Sequence, residues 1–116
     1  MNTYDIDKVT EYNSLIAEFM DLKEHKGSYF HPLFEEWDNW CPNVELIYHK
    51  SWDWLMPVVK KIGGMICLDN HMNRLIKTVI ECVIGCNLHL TYQAVLNFIK
   101  EHNSWTPNII DQFRND

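Results

Sequence analysis

The sequence predicts a mixed α+β fold: a small antiparallel sheet, made of a hairpin plus one short strand, covered by helices in helix–sheet–helix layering. Three observations predict it. Apolar residues recur at helical spacing in three stretches, and a β-branched-rich region is broken by Asp69, Asn70 and Asn73 in the manner of a hairpin. The length of 116 residues leaves room for one core, so residues 1–116 are expected to form a single domain.

The first helix is expected over residues 6–25. Val9, Tyr12, Ile16, Phe19 and Met20 share a helical stripe, while Glu11, Glu18, Asp21 and Glu24 decorate the other faces. Asp5 or Asp7 can cap its start, and Gly27 ends the pattern. Residues 28–43 keep no period, yet they hold Tyr29, Phe30, His31, Pro32, Phe34, Trp37, Trp40 and Pro42. A solvated loop has no reason to carry so many rings. The segment therefore either folds back as a lid on the core or offers an aromatic patch to a partner.

Alternation over Val44, Leu46 and Tyr48 suggests a short strand, and Ser51 suits a helix N-cap. The following helix, 51–62, carries a stripe of Leu55, Val58, Val59 and Ile62 that stays in phase past Pro57, so a bent helix is expected. Trp52 and Met56 share one helix face and Trp54 looks another way. At least one tryptophan must leave the main stripe, to pack under the 28–43 segment or to sit at an oligomer contact. Gly63–Gly64 stop the helix, and Met65–Leu68 with Leu75–Val83 read as the hairpin strands. Gly85 and Asn87 mark a turn. Residues 88–102 form the last main helix, with Tyr92, Val95, Leu96, Phe98 and Ile99 inward, and Thr106–Pro107 open a short terminal helix anchored by Ile109, Ile110 and Phe113.

The composition narrows the function. No basic and apolar leader pattern and no span-length apolar run occur, so a cytoplasmic protein without membrane contact is expected, its four cysteines reduced. Residues 1–45 hold ten acids against three lysines, and residues 46–116 hold six acids against seven bases. An acidic half repels phosphates and suits a basic partner surface. Lys50, Lys60, Lys61, Arg74 and Lys77 are the one basic group that could take RNA, and they read more simply as solubilising charge.

Chemistry-bearing patterns are sparse. Cys67, His71, Cys82, Cys86 and His89 are thiolate and imidazole donors of the type zinc takes, but paired C-x2-C knuckles are missing. Glu35, Glu36 and Asp38 could do acid–base work, and beside aromatic rings they read as a solvated rim. No nucleophile elbow, H-E-x-x-H helix or phosphate-binding glycine loop is present, and no catalytic residue or cofactor is expected.

One resemblance extends this reading. The run from Tyr48 to Ile62 (YHKSWDWLMPVVKKI) resembles a motif of small phage and prophage proteins of the phage ABA-sandwich type. Those proteins pair it with a helix like Leu15–Met20 and a closing helix like Tyr92, Ala94, Val95, Phe98, Ile99 and Lys100. The three blocks span roughly residues 13–102, while 28–43 and the tail after Asn103 depart from the pattern. The resemblance implies a layered helix–sheet–helix fold, a mobile-element origin and no catalytic residues. By analogy of origin it points to an anti-CRISPR-type inhibitor that binds a host defence protein, a CRISPR effector or its ribonucleoprotein. The partner-binding residues expected are Glu18, Asp21, Glu24, Tyr29, Phe30, Phe34, Trp37 and Trp40. Self-association through the same rings and weak RNA binding are the alternatives.

Overall fold

The computed structural model describes the backbone of residues 6–65 and 70–114 and the side chains of 8–65 and 70–104. The element order is α1 (Ile6–Phe19), β1 (Glu24–His25), β2 (Ser28–Phe30), β3 (Trp40–Pro42), α2 (Trp52–Gly63), α3 (Asn70–Ile84) and α4 (Leu88–Arg114). This is an α+β fold with a three-stranded antiparallel sheet in the order β1-β2-β3. The chain forms two compact units, Met1–Val58 and Val59–Asp116, divided within α2.

In the first unit, α1 stops six residues earlier than its periodicity suggests. The Leu22 N–H donates to the Ala17 carbonyl at 3.1 Å and the Asp21 N–H to that of Glu18 at 3.0 Å. With Asp21 at φ 59°, this is a Schellman-type stop built on a non-glycine residue. The released chain runs into β1, and Gly27 turns a hairpin instead of ending a helix. Lys26 and Gly27 both take positive φ, at 51° and 81°, as tight primed hairpin turns require. Asn43 closes the next rung, its N–H donating to the Gly27 carbonyl at 2.9 Å. The expected strand at 44–48 is absent. A 3-10 turn at Asn43–Glu45 replaces it, and α1 packs on that turn.

Pairing fixes which residues go inward. Tyr29 stands opposite Cys41 and Glu24, and Phe30 opposite Trp40. Tyr29 and Cys41 are buried, with Asn13, Ile16, Ala17, Phe19, Leu46, Tyr48, Trp54, Leu55 and Val58. The Asn13 side-chain amide ties α1 to the 46–49 segment, donating to the Leu46 carbonyl at 2.8 Å and lying 3.0 Å from His49 Nδ1.

In the second unit, the sequence-predicted hairpin strand 75–83 is part of α3. Met72 and Val79 are buried, with Leu75, Ile76, Cys82 and Val83 half-buried between and after them, which is a 3.6-residue period. Of the β-branched residues in 75–83, Val79 is buried and Ile76 and Val83 are half-buried, while Thr78 and Ile80 are exposed, so the helical period and not the composition decides the element. The other expected hairpin strand, Met65–Leu68, lies mostly outside the described residues. α3 ends with the Cys86 N–H donating to the Val83 carbonyl (2.8 Å) and the Asn87 N–H to that of Cys82 (3.3 Å), with Cys86 at φ 56°. Asn87 then caps α4, its Oδ1 accepting from the Leu90 N–H at 2.9 Å. α3 and α4 pack together, and Tyr92, Val95, Leu96, Phe98 and Ile99 are buried as the sequence predicts. The separate terminal helix does not form: α4 continues through Thr106–Pro107 to Arg114. The side chains of Ile109, Ile110 and Phe113 lie outside the described ones. Among the described residues no helix is long and apolar enough to cross a membrane.

Candidate functional site

The 28–43 segment is neither wholly lid nor wholly patch. Strand alternation splits it. Tyr29, His31 and Cys41 go inward, while Phe30 (41% exposed), Leu33 (46%) and Trp37 (63%) remain open to solvent.

His31 is the inward anchor. Its ring stacks on the Trp54 indole, centroids 3.8 Å apart at 15°, and Tyr48 meets both rings edge-on at 5.7 and 5.5 Å. His31 Nδ1 accepts the Leu33 N–H at 3.1 Å, so that nitrogen carries the lone pair and Nε2 the proton. Burial holds the imidazole neutral, its pKa lowered to about 4. The same enclosure pushes the Cys41 thiol up to about 12, with nearby Glu45 adding to it, and raises the Tyr48 phenol. Tyr48 Oη is buried with no hydrogen-bond partner among the described residues. A thiol that burial holds protonated is not an activated nucleophile.

Beyond His31 the chain makes a tip that is closed at its base. The His31 N–H donates to the Asn39 carbonyl at 2.8 Å. Three successive residues, Trp37, Asp38 and Asn39, take left-handed φ of 47°, 54° and 72°. Aspartate and asparagine take this region more readily than most residues, so the cost, on the order of 1 kcal/mol, falls mainly on Trp37. The Asn39 side chain offsets part of it, its amide donating to the Phe34 carbonyl at 2.7 Å, while the Trp40 N–H donates to the Trp37 carbonyl. This turn displays the Trp37 indole beside Phe34, ring centroids 5.9 Å apart.

The outward sheet face carries a second group of rings. Trp40 meets Phe30 edge-on at 5.5 Å and His25 at 6.3 Å. Glu35, Glu36 and Asp38 are exposed around Trp37. From Ser28 to His49 the chain has four acids and neither lysine nor arginine.

Of the residues expected to bind a partner, four form two ring pairs here, Phe34 with Trp37 in the tip and Phe30 with Trp40 on the sheet. Tyr29 does not. It is 5% exposed, and its phenol is raised chiefly by burial and by the Glu18 carboxylate, against a hydrogen bond with Ser14 and with Glu24 adding to the rise. Glu24 pairs in register with Tyr29, on the face opposite Phe30 and Trp40. The structure therefore groups Glu18 and Glu24 around Tyr29, with Asp21 in the stop of α1, and separates them from the rings. The acids that accompany the rings are Glu35, Glu36 and Asp38. His25 and Leu33 went unnoticed in the sequence. His25 lay inside the expected first helix, and Leu33 followed a proline without periodic context.

Among the described residues no three of His, Cys, Asp and Glu converge as a metal-holding group. His71 lies 3.8 Å from Glu101, while Cys82 is half-buried, Cys86 and His89 are exposed, and Cys67 lies outside the described residues. The basic residues are divided, Lys50 in the first unit and Lys60, Lys61, Arg74 and Lys77 in the second. No family model, curated protein or solved structure matches the chain.

Proposed function

We propose that this chain is a non-enzymatic protein-binding module that docks a basic partner through Phe30, Leu33, Phe34, Trp37 and Trp40, rimmed by Glu35, Glu36 and Asp38. The observation that carries the reading is Trp37, a large aromatic side chain 63% exposed and held at the apex of a turn whose backbone is strained to display it. Interfaces draw their binding energy disproportionately from such tryptophans. Strain in a non-glycine turn marks a place where function is served at the expense of stability.

The resemblance of residues 48–62 to phage ABA-sandwich proteins suggests the class of partner, a bacterial defence effector whose nucleic-acid channel is basic. A module with an acidic rim would reach such a channel quickly, since complementary charge steers encounter. Inhibition by occupancy needs no catalytic group.

The test is a tagged pull-down from a bacterial lysate containing CRISPR effectors, with nuclease treatment, comparing the native chain with Trp37→Ala. A stoichiometric protein retained by the native chain and lost with the variant supports the reading. Recovery of nucleic acid alone, or of the chain alone, overturns it.

A further inference from the structure

We infer that the tip recognises arginine side chains, so that the partner's contacting segment is an arginine-bearing stretch of protein. This inference rests on the protein-binding reading above and specifies its chemistry. Two observations combine. Phe34 and Trp37 present neighbouring rings, 5.9 Å between centroids and tilted by 51°, and Trp37 is open to solvent. Glu35, Glu36 and Asp38 are exposed within one residue or two of that indole, in a segment free of lysine and arginine from Ser28 to His49.

An indole face attracts a cation placed within about 6 Å of its centroid, and tryptophan does so best among the aromatics. The planar guanidinium can stack on that face while its N–H groups, directed in the ring plane, reach carboxylates at the side. A lysine ammonium is a strongly hydrated point charge and gains less from the flat ring. A ring for stacking with carboxylates close to it in the chain therefore favours arginine over lysine. Like charge disfavours the other occupants. A second copy would bring Glu35, Glu36 and Asp38 against their own counterparts, and a phosphate backbone would meet the same repulsion.

Strand addition is not the mode. On the free edge of β3, Pro42 has no N–H and the Trp40 N–H is already committed to Trp37. On the edge next to the tip, recognition therefore passes through side chains.

The experiment uses the full chain and two fluorescently labelled nonapeptides, one rich in arginine and one with lysine at the same positions. Each is titrated by anisotropy at low salt. The expected result is an arginine peptide bound at least about fivefold tighter than its lysine counterpart. Trp37→Ala should reduce that ratio to near one, and Trp37→Phe should keep part of it. The triple change Glu35→Gln, Glu36→Gln and Asp38→Asn should weaken both peptides and flatten their salt dependence. Equal affinities for the two peptides, or a ratio that survives Trp37→Ala, overturns the inference. A pull-down partner retained equally by Trp37→Ala also overturns it, leaving a protein-binding module that uses another surface. Arginine selectivity through Trp37 with no protein partner in the lysate leaves the inference standing and removes the effector reading.

Discussion

The imidazole of His31 lies flat on the indole of Trp54, 3.8 Å between centroids. This stack joins the aromatic segment to the first turns of α2, and it does so with a ring that can take up a proton.

The first prediction follows from that ring. His31 is held neutral down to about pH 4, against an ordinary value of 6.5. Below pH 6.5 the unfolded chain takes up a proton that the folded chain refuses until about pH 4. The stabilising contribution is complete above 6.5 and is lost as pH falls through that window, by roughly 1.4 kcal/mol per pH unit at most. His49, also lowered by burial and by Lys50, acts in the same direction. Urea unfolding at pH 7 and pH 5 should show the loss, and His31→Phe should reduce its slope. An unchanged slope in that variant would remove His31 as the source.

The second prediction concerns Cys86. It occupies the left-handed position after α3 at φ 56°, and its side chain is exposed. Glycine takes that conformation without steric cost, so Cys86→Gly should raise stability by up to about 1 kcal/mol. Thermal melts under reducing conditions measure it.

Gly27 offers the converse. A Cβ there would meet nothing within 4 Å, yet φ is 81°. Gly27→Ala should therefore destabilise by about 1 kcal/mol through backbone conformation alone, read as a lower urea midpoint. A neutral result would show that the hairpin turn relaxes freely.

Asn13 is 1% exposed and supplies a donor to the Leu46 carbonyl at 2.8 Å. Asn13→Leu removes that donor inside the core and should cost about 1–3 kcal/mol. Hydrogen exchange of amides in residues 46–50 should rise with it.

Trp37→Ala is expected to leave the melting temperature within about 2 °C of the native value, because little of the side chain is covered. A large drop would show that the ring supports the fold and is not held out for contact.

What the sequence disclosed depended on length and period. The stripes of α2 (Leu55, Val58, Val59, Ile62) and α4 (Tyr92, Val95, Leu96, Ile99) run for about two turns each and are legible, and all these residues are buried. α3 was obscured because Ile76, Thr78, Val79, Ile80 and Val83 have strand-like composition, although Met72 and Val79 sit seven apart on one helical face. The strands have two or three residues each, too few to show alternation, and tertiary pairing rather than propensity specifies them. The rings of 28–43 were visible as a cluster. Which of them face outward was not, because that follows from the register of Phe30 with Trp40 and from three left-handed residues that no local pattern announces.

The hydrogen bond from the His31 N–H to the Asn39 carbonyl brings the two ends of the tip to the spacing of a strand pair. Residues 32–38 are the loop that this pairing closes. They lie outside all three strands, so strand register does not dictate their sequence as it does that of Tyr29, Phe30, Trp40 and Cys41.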